Sequence, residues 1–149
     1  MSDKFYDGVI IGGGPAGLAA AIYLARARYR VLVIEKETMG GQITITSEVV
    51  NYPGVLHTDG KKLTEEMRKQ AQNFGAEFLK AQVTGLVLEG DKKKILTDKG
   101  ELQALGVVLA TGASPRQAGF TGEEEFRGRG VAYLSLIHIS EPTRLALIS

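Results

Sequence analysis

Residues 6–17 read YDGVIIGGGPAG, an apolar run that ends abruptly in three consecutive glycines. The run from Tyr6 to Ile11 predicts a buried strand followed by a tight turn. From Pro15 to about Arg28 the chain is rich in Ala and Leu, has no internal proline, and predicts a helix. Val31 to Glu35 (VLVIE) again has the continuous apolar character of a strand covered on both faces. Together these segments predict a βαβ unit with a right-handed crossover.

The glycines at this turn have the spacing Gly-x-Gly-x-x-Gly, with Gly12, Gly14 and Gly17 in the three positions. In dinucleotide-binding folds the first glycine permits the tight turn, the second leaves space for the pyrophosphate, and the third lets the helix approach the strand. The start of the helix presents unpaired N–H groups and a positive dipole end to the phosphates. Pro15 fits there, because a first-turn N–H has no intrahelical partner. The pattern therefore predicts a dinucleotide site.

Glu35 completes this pattern at the end of the second strand, 18 positions after Gly17. A carboxylate there accepts hydrogen bonds from ribose hydroxyls and repels a 2′-phosphate, which favours FAD or NAD over NADP. The alternative is a glycine-rich turn in an unrelated α/β fold, with Glu35 merely solvated. Pattern alone leaves FAD and NAD open.

The rest of the chain predicts a long functional loop, a second helix and a group of strands. No periodicity holds from Thr38 to Gly60. Apolar residues from Leu63 to Phe74 have helical spacing, and Gly75 follows where a helix cap is expected. Three strand-like segments follow, at Gln82 to Glu89, Lys94 to Thr97 and Glu101 to Ala104. Hairpin signals separate them at Gly90-Asp91 and Asp98-Lys99-Gly100. A further buried strand is predicted at Val107 to Ala110.

Composition narrows the function classes. The chain has 149 residues, 44% of them hydrophobic and 23% charged, with a formal net charge of +1. We expect one domain, with neither nucleic acid nor a membrane as partner, and, in the absence of signal-peptide features, a cytoplasmic location. There is no cysteine, so these residues hold no dithiol and no thiolate metal site. The two histidines are too isolated to predict a metal centre.

Four further segments resemble bacterial thioredoxin reductases. GGQIT at 40–44 and EVVNYPG at 48–54 resemble the flavin-contacting loop of that family. ATGA at 110–113 resembles the motif that ends the strand after the β-meander, and GRGVAY at 128–133 resembles the approach to the redox-active CxxC. The resemblance covers about residues 5–133 and is more specific than the glycine pattern alone.

The resemblance implies an α/β fold: a Rossmann-like FAD-binding βαβ parallel sheet with a β-meander insertion, in which residues 1–133 are the N-terminal portion of the FAD-binding domain. Backbone groups, Glu35 and the loop amides would hold FAD, although ordinary loop capping is the alternative for Gln42 and Asn51. The expected cofactor-binding residues are Gly12, Gly14, Pro15, Ala16, Gly17, Glu35, Lys36, Gly41, Gln42, Asn51, Val83, Ala110, Thr111 and Gly112.

The resemblance ends after Tyr133, where LSLIHIS stands in place of the CxxC. Residues 134–149 are expected to be a non-native tail, since LSLIHISEPTR resembles a translated sequencing adapter; a genuine C-terminal strand and helix start is the alternative. No catalytic residue is therefore expected within this chain.

The functional expectation is a fragment of an NADPH-dependent thioredoxin-disulfide reductase that is inactive alone. NADPH, thioredoxin and a homodimeric state are implied only for the complete family member. The alternatives are a fragment of a CxxC-less ferredoxin/flavodoxin–NADP reductase, a non-catalytic FAD-binding module and a plain NAD-binding Rossmann domain.

Overall fold

Six strands form one mixed sheet in the computed structural model, which describes residues 5–113 and 119–126. Two α-helices and one 3₁₀ helix connect them. In chain order the elements are β1 (Phe5–Ile11), α1 (Pro15–Arg26), β2 (Val31–Glu35), the 3₁₀ helix (Gly41–Ile45), α2 (Gly60–Asn73), β3 (Glu77–Lys80), β4 (Val83–Val87), β5 (Lys93–Thr97) and β6 (Gly100–Leu109).

The strand order is β3-β2-β1-β6-β5-β4. β1 lies parallel to β2 and to β6, and β2 lies parallel to β3. β4 and β5 pair antiparallel, as do β5 and β6. The predicted βαβ unit, the parallel sheet and the hairpin insertion are thus confirmed.

Neighbouring residues of β1 and β2 pack into two different apolar clusters. Val9 and Ile34 belong to a cluster with Ile95 and Leu102, whereas Ile10 and Val33 belong to the cluster that also contains alanines of α1 and α2. Alternate side chains of a strand point to opposite faces, so both faces of the central strands are covered. This burial explains the uninterrupted apolar runs in the sequence.

The glycines expected to shape turns do so. Gly75 follows α2 with φ +97°, Gly90 lies in the β4–β5 connection with φ +73°, and Gly100 follows the β5–β6 turn with φ +113°. A positive φ of this size costs glycine little and a side-chain-bearing residue much more. Both predicted hairpins and the cap of α2 are therefore confirmed.

Two expectations about the elements were wrong, and one strand was not predicted. Glu101–Ala104 and Val107–Ala110 belong to one continuous strand, β6, which pairs with β5 near its start and with β1 over most of its length. Its second half is partly exposed rather than buried, and Leu109 is 62% exposed. β3 was not predicted, because its sequence EFLK is short and has a charged residue at each end.

Boundaries also shift at α1 and in the loop. α1 ends at Arg26, two residues before the expected end, and Arg28 adopts φ +72° beyond it. The loop predicted from Thr38 to Gly60 contains the 3₁₀ helix and two isolated β-bridges, Val49 with Thr58 and Tyr52 with Val55.

The chain divides into two compact units, Met1–Gly112 and Ala113–Ser149. The first contains the sheet and the helices. In the second, residues 119–126 form a turn in which the buried Glu123 carboxylate accepts a hydrogen bond from the Gly119 N–H at 2.6 Å. The domain end expected at 133, the GRGVAY segment and the tail lie outside the described residues, and the boundary stays a prediction.

In the described part of the chain, neither α-helix combines the length and apolarity needed to span a membrane.

Candidate dinucleotide site

The parallel strands β1, β2 and β6 end at the same edge of the sheet, where the glycine turn follows β1. The Gly12 N–H donates to the Ile34 carbonyl oxygen of β2 at 2.8 Å. On the other side, the Ala110 N–H donates to the Ile11 carbonyl oxygen at 2.8 Å, so the end of β6 is fixed to β1. Ligands of open parallel sheets bind at such carboxyl edges.

Gly12 and Gly17 are required by the protein itself. Gly12 has φ +111°, and a Cβ there would overlap the Ala110 carbonyl oxygen. A Cβ on Gly17, within α1, would overlap the Gly12 carbonyl oxygen. A side chain at either position would therefore clash with the protein backbone. The Gly-x-Gly-x-x-Gly spacing predicts this, because its first glycine permits the tight turn and its third lets the helix approach the strand.

Gly14 differs from both. Its backbone is extended, with φ −78° and ψ −177°, which any residue adopts. Among the described residues, a Cβ there would have no neighbour nearer than the Gly41 Cα at 3.9 Å. Neither backbone geometry nor packing within the protein therefore requires glycine at position 14.

The Glu35 carboxylate lies at the mouth of this turn. One oxygen, Oε2, accepts from the Gly13 N–H at 2.8 Å, and Oε1 accepts from the Glu37 N–H at 3.0 Å. Because each carboxylate oxygen has two lone pairs, each can accept a further hydrogen bond. The side chain is partly exposed and is held in a fixed orientation beside the glycines.

A second glycine pair closes over the first. The Gly40 N–H donates to the Gly13 carbonyl oxygen at 2.8 Å, and Gly40 has φ +117°. A Cβ on Gly41 would lie 3.1 Å from the Gly14 Cα. The GGQ segment and the glycine turn thus meet backbone to backbone, with no side chain between them.

The first turn of α1 has no side-chain hydrogen bond at its N-cap, Gly14, and no acidic residue. Pro15 is the first helical residue and has no N–H to donate. The next two amides, of Ala16 and Gly17, lie in the first turn, where a helix offers no carbonyl partner. With the helix dipole, this end of α1 favours an anion.

The structure brings only some of the expected site residues together. Contacts connect Gly12, Gly14, Glu35, Gly41 and Ala110, while Pro15, Ala16 and Gly17 follow directly in α1. Thr111 also approaches the turn, since its N would lie 3.2 Å from a Cβ on Gly12.

Among the described residues, no contact connects Lys36, Asn51, Val83 or Gly112 to the glycine turn. Lys36 is exposed and pairs with Glu37 at 3.4 Å. Gln42 is an exposed residue of the 3₁₀ helix, and Asn51 is an exposed loop residue. Val83 begins β4 and packs on the cluster of Ile95. Gly112 is exposed after β6, with open space around its Cα. All of these assignments stay predictions.

Gly13 and Met39 also lie at this turn, although neither was predicted from the sequence. Gly13 is buried, and a Cβ there would overlap the Met39 sulfur and lie 3.1 Å from the Glu35 Cβ. The third consecutive glycine was a signal for Gly13. A methionine in an aperiodic loop gives no comparable signal.

At the opposite edge of the sheet, side chains near the N-terminal ends of β1, β2 and β3 contact one another. The Tyr6 hydroxyl donates to Glu77 Oε2 at 2.9 Å, and the Arg30 guanidinium lies 4.6 Å from the Tyr6 ring centroid. Burial, followed by the neighbouring Glu77 carboxylate, raises the pKa of Tyr6 above its ordinary value.

In residues 5–113 and 119–126 no three acidic or histidine side chains are grouped to hold a metal ion.

Comparison with known proteins assigns the family. Residues 6–139 match the pyridine nucleotide-disulphide oxidoreductase family. The thioredoxin reductase of Peptoclostridium acidaminophilum is 50% identical over 132 residues, which is 88% of this chain and 42% of the relative. That of Aquifex aeolicus is 46% identical over 133 residues, 88% of this chain and 41% of the relative.

The crystal structure of Lactococcus lactis thioredoxin reductase superposes with a TM-score of 0.77 at 42% identity, covering 85% of this chain and 42% of that one. The chain belongs to the pyridine nucleotide-disulphide oxidoreductase family and spans about 42% of the length of the thioredoxin reductases it matches. The resemblance to the N-terminal part of thioredoxin reductases is thereby confirmed.

Proposed function

We propose that the carboxyl edge of the sheet binds FAD and that the chain is the FAD-binding portion of a thioredoxin-reductase-type flavoprotein. The glycine turn and the start of α1 would take the pyrophosphate, and Glu35 the ribose of the adenosine half. Gly41, Gln42 and Asn51 would lie beside the flavin half, as in the family resemblance. The choice of FAD over NAD rests on the GGQ and NYPG segments together with the family match.

Gly14 is the observation that supports this proposal most strongly. The protein needs glycine at positions 12 and 17 for its own packing, but at position 14 it leaves space for a side chain. A group that must approach the backbone closely from outside explains why no side chain is present. A pyrophosphate on the first turn of α1 is such a group.

Each residue of the site would act by binding and orientation. The amides of Ala16 and Gly17 would donate to phosphate oxygens without adding a charged side chain that could titrate. The free lone pairs of the Glu35 carboxylate would accept from ribose hydroxyls, and its negative charge would disfavour a 2′-phosphate. FAD, when bound, supplies two-electron redox chemistry.

The activity of the whole protein is a further proposal. Its similarity to thioredoxin reductases indicates an enzyme that takes a hydride from NADPH and delivers electrons to a thioredoxin disulfide. The 149 residues contain no cysteine and therefore no dithiol. We expect this chain alone to give NADPH-dependent thioredoxin reduction at the background rate. The cytoplasmic location and the homodimer also stay predictions.

The test is a titration of the chain with FAD and with NAD, followed by flavin fluorescence and calorimetry, for the wild type and two alanine variants. Gly14→Ala places a methyl group in the proposed pyrophosphate site. Gly106→Ala is the matched control, because a Cβ there would also have space, with its nearest neighbour at 3.8 Å, in the middle of β6.

We expect FAD to bind in preference to NAD and Gly14→Ala to weaken FAD binding at least about tenfold, the effect of losing one charge-assisted hydrogen bond. Gly14→Ala should unfold at a slightly lower urea concentration than the wild type, because alanine is a poorer N-cap than glycine, but both variants should stay folded where binding is measured. Equal FAD affinity in wild type and Gly14→Ala would contradict the proposed site. Preference for NAD would favour a plain NAD-binding domain instead.

A further inference from the structure

Met39 covers the middle of the glycine turn, although the proposed dinucleotide contacts do not involve it. Its sulfur lies against the Gly13 Cα so closely that a side chain on Gly13 would overlap it. The Met39 side chain also packs on the apolar cluster that contains Ile10 and Val33, and the residue is partly exposed. Met39 therefore connects the core, the turn and solvent.

Gly13 is held from every side by the segment that ends β2 and follows it. Its N–H donates to Glu35 at 2.8 Å, its carbonyl oxygen accepts from the Gly40 N–H at 2.8 Å, and its Cα faces the Met39 sulfur. We expect a change in the volume or polarity of the Met39 side chain to displace Gly13. Displacement of Gly13 alters the orientation of Glu35 on one side and of Gly14 on the other.

We propose that Met39 is an oxidation site through which a hydroperoxide lowers dinucleotide affinity; this inference rests on the proposed function. The thioether sulfur attacks one peroxide oxygen, an S–O bond forms and the O–O bond breaks. The sulfur is oxidised by two electrons to the sulfoxide, and the peroxide is reduced to water, which keeps both hydrogens of hydrogen peroxide. The sulfoxide is larger and polar, and methionine sulfoxide disrupts apolar contacts.

The position of the new oxygen explains the loss of affinity. A sulfoxide oxygen only accepts hydrogen bonds, and near the sulfur lie the Gly13 Cα and the Glu35 side chain. The Gly13 N–H already donates to Glu35. The new acceptor therefore gains no donor from these two groups and adds polar bulk beside the glycine turn. The Gly13–Glu35 hydrogen bond is the contact expected to break.

Met67 supplies an internal reference for the modification. It is 6% exposed and belongs to an apolar cluster with Leu18, Val49 and Leu63. A peroxide that reaches the partly exposed Met39 would reach Met67 only after local unfolding. The two thioethers should therefore react at different rates in the folded chain and at similar rates in urea.

The experiment treats residues 1–149 with hydrogen peroxide and follows the two sites by peptide mass mapping. Amide exchange at Gly13 is measured by NMR, and FAD affinity is measured before and after treatment in the wild type and in Met39→Leu. We expect Met39 to be oxidised before Met67, Gly13 exchange to accelerate, and FAD affinity to fall about tenfold, as for one lost hydrogen bond. In Met39→Leu the ratio of affinities before and after peroxide should stay near one.

Two results would overturn the proposal: oxidation of Met39 no faster than that of Met67, or the same peroxide-induced loss of FAD affinity in Met39→Leu as in the wild type. If the untreated chain binds no FAD, the proposed function fails separately. The hydrogen exchange of the Gly13 amide still tests the role of Met39 in that case. An exchange rate that is unchanged after Met39 oxidation would show that the Met39 sulfur does not affect the conformation of the glycine turn.

Discussion

The two α-helices in the described part of the chain begin in opposite ways. α2 begins at Gly60 behind Asp59, whose carboxylate accepts from the Lys62 N–H at 2.8 Å. α1 begins behind Gly14, with no side-chain hydrogen bond at its N-cap and no acidic residue in its first turn. Every α-helix starts with N–H groups that lack intrahelical partners. The N-cap side chain supplies a partner in α2, whereas the N-cap glycine of α1 has no side chain that could do so.

The difference between the two N-caps indicates where a ligand is expected. An aspartate at an N-cap satisfies the first-turn amides and places a negative charge at the positive end of the helix dipole. That position in α1 is occupied by a glycine whose packing leaves space, beside the carboxyl edge of the parallel strands. An anion from outside can do for α1 what Asp59 does for α2.

Gly17→Ala should have the largest effect. Alanine is favoured over glycine within a helix by about 1 kcal/mol. Its Cβ would overlap the Gly12 carbonyl oxygen, however, and the backbone displacement should cost about 3 kcal/mol or more. Urea unfolding measures the net loss, and a variant as stable as the wild type would show that α1 does not pack so closely on the turn.

Gly14→Asp makes the start of α1 similar to that of α2. The extended backbone of residue 14 suits an N-cap aspartate, so unfolding in urea should occur at the same or a higher concentration. The added carboxylate would repel the pyrophosphate, and we expect FAD affinity to fall about 100-fold. Calorimetric titration checks this. Undiminished binding would mean that the phosphates lie elsewhere.

Asp59→Ala is the reciprocal change. The melting temperature should fall by a few degrees, while FAD affinity stays as in the wild type. The Lys62 N–H that donates to Asp59 holds the pKa of that carboxyl below its ordinary value. Because this pKa is lower in the folded chain than in the unfolded chain, the cap contributes its full stability above the pKa of unfolded aspartate. That contribution is lost as the pH falls through the pKa of Asp59 in the folded chain. The difference between variant and wild type should therefore shrink below about pH 4, as thermal melts across this range would show.

Tyr6→Phe should have the smallest effect, at the sheet edge opposite the glycine turn. Loss of the hydrogen bond to Glu77 should cost about 1 kcal/mol near pH 7. Because the pKa of Tyr6 is raised on folding, its contribution is present below the unfolded pKa and is lost as pH rises above about 10. Urea unfolding of the variant should lack this alkaline decline. Tyr23→Phe is the control, since Tyr23 is 70% exposed.

The sequence was sufficient for elements whose cause is local or periodic. β1, the turn, α1 and β2 follow from a buried apolar run, clustered glycines and an alanine-rich segment. β3 was missed because four residues with charged ends carry no period, and its pairing with β2 depends on the completed fold. β6 was divided because Gly106 is a weak strand former that stands between Ala104 and Val107, whereas pairing with β5 and β1 keeps the strand continuous.

The same distinction holds for the site. The parallel strands bring Gly12, Gly14 and Glu35 to one edge, as the spacing predicts. Gln42 and Asn51 lie in a loop whose path depends on tertiary contacts, and their roles stay predictions. The contact of Met39 with Gly13 joins residues of two different loops, which no sequence pattern indicates.

The most direct test of the account is amide NMR of the chain titrated with ADP, which carries the pyrophosphate and ribose without the flavin. We predict that the resonances of Ala16 and Gly17 shift strongly and that their hydrogen exchange slows, while that of Lys62 in α2 is unchanged. If the first-turn resonances of α1 do not shift, the claim that this helix start binds a dinucleotide is contradicted. This holds whether ADP binds elsewhere on the chain or does not bind at all.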